Sequence, residues 1–90
     1  MNPAEREQVR YSLLRYLAAN RTSYGLPVGA LRQYLATEGT VMEAEAVAAE
    51  MQYLTDRGLT EEIQKRLSPE IRCWRITADG RDLLAQTQGL

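Results

Sequence analysis

The segment from Val47 to Leu59 constrains this chain more than any other. Val47, Met51 and Leu54 recur at i, i+4 and i+7, which places one apolar stripe along a helix. Gly58 then ends that helix, because only glycine enters the left-handed terminating conformation without penalty, and Leu59 returns to the core as a strand begins. The outward positions of the same helix read Glu43, Glu45, Ala46, Ala49, Glu50 and Tyr53, without a lysine or arginine among them.

The rest of the chain arranges itself around this helix. Pro3 opens a first helix over residues 3–19, with Asn20 as its stop; Val9, Leu13, Leu14 and Leu17 form its inward stripe and Tyr16 borders it. Residues 21–26 read as a loop. Pro27 suits the first position of a second helix whose Val28, Leu31 and Leu35 point inward; Gly39 ends that helix or the short turn after it. Thr40 and Glu43 match a capping box for the third helix, expected over residues 41–57. Beyond Leu59, Ile63, Leu67, Ile71, Trp74 and Ile76, interrupted by Ser68-Pro69-Glu70, read as two strands joined by a turn. Residues 77–81 close the second strand and cap a short last helix through Leu83 and Leu84, with a frayed tail over 87–90. Ninety residues imply a single domain with its core over about 3–86. A chain of this size buries roughly 60–65% of its unfolded surface, so association with a second copy would add useful stability.

Helix, helix, helix, strand, strand, helix is the order of a winged helix-turn-helix, an α+β and mostly helical fold. The second and third helices form the helix-turn-helix and the strand pair forms the wing. Leu13-Leu14-Arg15-Tyr16-Leu17 resembles the first helix of small bacterial winged-helix regulators of the ArsR and PadR type, and Trp74 to Leu84 is similar to their strand-to-helix junction. A closer likeness is to the short winged-helix proteins of Mu-like phages and prophages. They share the long segment between helices two and three, here residues 35–41, and the spacing of Val47, Met51, Leu54, Gly58 and Leu59. The resemblance implies a bacterial or prophage protein of the transcription-regulator kind. Two departures stand out: Glu43-Ala44-Glu45-Ala46 occupies the usual polar entry to the third helix, and Thr60-Glu61-Glu62 begins a strand that often starts apolar.

Catalysis finds little support. Histidine is absent, which removes the commonest general base and metal ligand, and the six glycines are scattered rather than gathered in a phosphate loop. Cys73 is the only cysteine; it is flanked by Ile71, Arg72, Trp74 and Arg75 and reads as a small packed strand residue. The reading calls for no enzyme activity, no cofactor and no metal. No apolar run approaches the ~20 residues of a membrane span, and the polar start is unlike a signal peptide, so the expected location is the cytoplasm.

Charge separates the remaining functions. Eleven basic and twelve acidic side chains leave the chain at −1, so any pull toward DNA must be local. The third helix carries Glu43, Glu45, Glu50 and Asp56 against Arg57 alone, a net −3 that a phosphate backbone would repel. The wing, with Lys65, Arg66, Arg72 and Arg75 against Glu61, Glu62 and Glu70, stands at +1. Lys65 and Arg66 at the hairpin tip, with Arg72, are the expected phosphate contacts, joined by Arg32 on the second helix. The tip pair serves equally well as a solvated turn that protects a sheet edge, and Arg32 equally well as an ion-pair partner of Glu38 or Asp56. Five tyrosines and no phenylalanine add a further signal. Ala46, Ala49, Glu50 and Tyr53, with Tyr11 on the first helix, compose an outer strip suited to a helix-packed interface. Two functions follow: a small regulator-like protein, expected as a homodimer, that holds double-stranded DNA mainly by its wing, or a winged-helix module that binds a protein through its acidic third helix.

Overall fold

Local capping sets where each helix begins and ends. The computed structural model describes residues 1–63 and 71–88. Helix α1, Pro3–Ala19, starts at Asn2, whose side-chain oxygen accepts the backbone N–H of Glu5 at 2.8 Å, and ends at Asn20, the expected stop. A two-residue strand β1, Leu26–Pro27, takes the last residue of the expected loop and the proline expected to open the second helix; Pro27 is instead the N-cap of helix α2, Val28–Thr37. Helix α3, Ala44–Asp56, strands β2, Thr60–Ile63, and β3, Cys73–Ile76, and helix α4, Ala78–Gln88, complete the order.

Both helices of the α2–α3 pair end in the same way. Thr40 N–H donates to Leu35 O (2.8 Å) and Gly39 N–H to Ala36 O (3.0 Å); Leu59 N–H donates to Leu54 O (3.0 Å) and Gly58 N–H to Thr55 O (2.9 Å). These are paired Schellman closures, and each needs a glycine at positive φ, +86° at Gly39 and +76° at Gly58. The first of them overturns the expected capping box. Thr40 is already committed to closing α2, so α3 begins three residues later than expected, at Ala44, with Glu43 as an N-cap that makes no side-chain cap bond. Met42 just before the cap and Val47 one turn inside are both buried, at the positions of a hydrophobic staple.

The sheet is antiparallel in the order β1-β3-β2, with Thr60 opposite Ile76 and Glu62 opposite Trp74 on one side of β3 and Leu26 opposite Trp74 on the other. Being central, β3 buries Cys73, Trp74 and Ile76; Ile71, expected within a strand, stands exposed before it. Leu67 lies outside the described residues. The core joins Val9, Leu13, Leu14 and Leu17 of α1 to Leu31 and Leu35 of α2, Val47, Met51 and Leu54 of α3, and Leu84 of α4. Val28 is only half-buried. The polar start of β2 is accommodated because the Thr60 hydroxyl, although buried, lies 2.9 Å from that of Thr55. Among the described residues no helix is long and apolar enough to cross a membrane.

Helix α4 makes an unusually close approach to the turn between α3 and β2 and to β3. A Cβ on Gly80 would stand 2.2 Å from Leu59 O and 2.7 Å from Ile76 Cγ1. Neither the carbonyl nor a core isoleucine can simply rotate aside. Gly80→Ala is therefore expected to destabilise the fold by about 1–3 kcal/mol, read as a lower urea midpoint with an unchanged slope.

Candidate nucleic-acid and protein interface

The helix-turn-helix and hairpin bring the expected site residues together in part. On α3, Glu45, Ala46, Ala49, Gln52 and Asp56 are exposed, while Val47, Met51 and Leu54 face the core, as their spacing requires. Arg72, just ahead of β3, reaches this face: its Nη2 donates to Gln52 Oε1 at 3.2 Å and to Glu62 Oε1 at 2.8 Å, and its Nε to Glu62 Oε2 at 3.3 Å. The hydrogen bond to Glu62 also pushes the Arg72 pKa up. Its guanidinium lies 4.9 Å from the centre of the Trp74 ring. Arg75 pairs with Glu61 across the strands, so two of the hairpin's arginines are matched by carboxylates of β2. Arg32 remains exposed, but its Nε donates to Met42 O at 3.0 Å rather than to Glu38 or Asp56. It thereby pins the segment that leads into α3. Lys65 and Arg66 lie outside the described residues.

Glu50 corrects the sequence reading most sharply. Expected on the open face, it is 4% exposed and turned toward α1. There Arg10 Nε donates to Glu50 Oε2 at 2.7 Å, and Arg6 Nε lies 3.4 Å from Oε1. The reason is angular: position 50 is three residues from Val47 and four from Leu54, at the edge of the buried stripe. A carboxylate there must be matched by cations, and Arg6 and Arg10, one turn apart on α1, supply two. The i, i+4 arginines were the signal that identifies this site from sequence.

The aromatic residues divide likewise. Tyr53 is 38% exposed, yet the Arg10 guanidinium lies over its ring at 3.6 Å from the centre, and Arg57 Nη1 donates to its hydroxyl at 3.4 Å. Tyr11 is not on a free outer face; it is half-buried against the core, and its hydroxyl accepts from Thr87 Oγ1 at 3.4 Å. Tyr16 and Tyr34, which no site claimed, stack at 4.2 Å between ring centres and join α1 to α2. Ala46 and Ala49 stay exposed as expected. The outer strip therefore reduces to Ala46, Ala49 and part of Tyr53.

Among solved structures, a Gly-to-Lys mutant of S. aureus MepR is similar to this chain, with a TM-score of 0.73 at 16% identity over 96% of the chain. The fold is a winged helix-turn-helix. The chain spans 62% of the length of that MepR structure. No protein-family model matches the chain, and no curated protein matches it in sequence. In winged-helix terms α2 and α3 are the helix-turn-helix, and β2 with β3 forms the base of the wing, to which β1 adds a third strand.

The two kinds of ion pair are expected to differ in weight. In a double-mutant cycle read by urea unfolding, Arg10→Ala and Glu50→Gln should couple by about 1–3 kcal/mol, because Glu50 is withdrawn from water. Removing Arg75 from its exposed pair with Glu61 should change stability by less than about 0.5 kcal/mol.

Proposed function

We propose that this chain is a winged-helix DNA-binding protein of the transcription-regulator kind, holding duplex DNA chiefly through its wing and Arg32. The observation that carries the reading is the open outer face of α3 beside the wing base, with Arg72 reaching from one to the other. A helix and a hairpin presented together can meet a groove and the phosphates bordering it. The fold likeness to MepR and the sequence likeness to ArsR- and PadR-type proteins and Mu-like phage proteins support the same reading.

Electrostatics assigns the parts. The exposed acids of α3 oppose phosphate, and Arg72 and Arg75 are already paired to Glu62 and Glu61, so Lys65, Arg66 and Arg32 are the expected phosphate contacts. Fluorescence anisotropy on mixed-sequence duplex is expected to show binding that weakens steeply with salt. Lys65→Ala combined with Arg66→Ala should lower affinity across all sequences and reduce the salt slope by about 2. No binding at low salt would overturn the proposal.

One observation favours a second reading. Ala46 and Ala49 form a small apolar strip beside Glu45, the composition of a protein-docking helix more than of a phosphate-seeking one. In that reading α3 binds a protein partner or pairs two copies as a homodimer. Ala49→Arg discriminates. It should break an assembly seen by light scattering if α3 is a protein interface, and should instead tighten DNA binding if α3 enters the groove.

A further inference from the structure

The acids of α3 are not equivalent in the fold. Glu50 is buried between Arg6 and Arg10, Asp56 accepts from Gln52 Nε2 at 2.8 Å, and Glu43 occupies the N-cap position. Glu43 is also exposed and makes no side-chain cap bond, but it precedes the helix. Within α3 itself, Glu45, in the first turn, is the exposed acid whose side chain makes no ion pair or hydrogen bond among the described residues. Its neighbours on the open face are Ala46 and, one turn on, Ala49, which end in methyl groups and leave the carboxylate unobstructed. Gln52, the next residue along this face, is held by Asp56 and Arg72.

We infer that Glu45 is a base-reading residue that selects cytosine in the major groove, with the methyl of Ala49 against a neighbouring thymine. The inference rests on the DNA-binding reading above. The N-terminal residues of a recognition helix are those that meet base edges, and Glu45 is the second residue of α3. Of the groove-facing base atoms, guanine N7 and O6 and thymine O4 are acceptors and repel a carboxylate. Adenine offers its N6 amino group between two acceptors, N7 of the same base and O4 of its paired thymine. Cytosine N4 has an acceptor on one side only, so it is the donor a carboxylate approaches at least cost. Phosphates repel Glu45 wherever the helix sits. The residue therefore lowers affinity everywhere and lowers it least at cytosine, which makes it a source of specificity rather than of strength.

The test is selection from a randomised duplex library by the wild-type protein and by Glu45→Gln, followed by anisotropy on the selected duplexes. Glutamine pairs with adenine N6 and N7 through both ends of its amide. The wild type is expected to enrich a position fixed as cytosine, preferred by about tenfold over other bases. Glu45→Gln should move that preference to adenine and bind mixed-sequence duplex more tightly, with unchanged melting. Glu45→Ala should lose the preference and also bind more tightly. Identical enriched sequences for wild type and both variants would overturn the assignment while leaving DNA binding intact. Failure of all three proteins to bind any duplex at low salt would overturn the DNA-binding reading and this inference with it.

Discussion

Four elements of the winged helix meet at the turn through Gly58 and Leu59. Gly58, at φ +76°, closes α3, and its carbonyl accepts the Thr77 hydroxyl at 2.7 Å. The Leu59 carbonyl accepts Thr77 N–H at 3.1 Å, while Gly80 of α4 packs against that same carbonyl. Thr77 in turn caps α4, its hydroxyl accepting Gly80 N–H at 3.1 Å. The end of α3, the start of β2, the end of β3 and the first turn of α4 are therefore held within a few hydrogen bonds. The direction in which the wing leaves α3 is set there, and a side chain at Gly80 would force the two apart.

A second constraint, the buried carboxylate of Glu50, decides how charge is distributed. Matching it occupies Arg6 and Arg10, and Arg10 additionally covers Tyr53. Arg75 and Arg72 are matched on the sheet by Glu61 and Glu62. The near-neutral total therefore does not describe a surface of evenly mixed charge. Much of the basic complement holds elements together, α1 to α3 and β2 to β3, and is withdrawn from long-range attraction. An exposed pair contributes little to stability, so its larger effect is to cancel the field that a free arginine would project.

Most of the fold was legible because it is written in periodicity and in punctuation by Asn20, Gly39 and Gly58. Helix α1 matches its expected span, and the inward stripes of α1 and α3 are buried residue for residue. What escaped the sequence depends on partners distant along the chain. Strand β1 is two residues long and exists only because β3 lies beside it. Thr40 satisfies two local patterns, a C-terminal closure and a capping box, and the geometry of Gly39 chooses the first. An acid such as Glu50 ordinarily faces outward, although its position at the edge of the Val47–Leu54 stripe and the arginine pair on α1 mark it as an inward ion pair. Arg32 has the sequence setting of an ion-pair or phosphate residue, and it hydrogen-bonds a backbone carbonyl ten residues on. Side-chain destinations set by tertiary contact are the part that single-sequence periodicity does not encode.

The burial of Glu50 limits what α3 is able to contribute. With Glu50 buried and neutralised, the open face is less acidic than the count of its carboxylates suggests, and Ala46 and Ala49 make it narrow. A narrow, weakly acidic helix is a poor anchor on phosphate, yet it fits a groove without steric conflict. Affinity and selectivity would then reside in different elements: cations beside the helix supply attraction that ignores sequence, and the first turn of α3 supplies penalties that depend on it. Such a division calls for a modest anchor. A strongly basic α3 would hold any sequence tightly and mask the discrimination that one carboxylate provides, so the acidity that first argues against groove contact is compatible with a helix whose task is to reject.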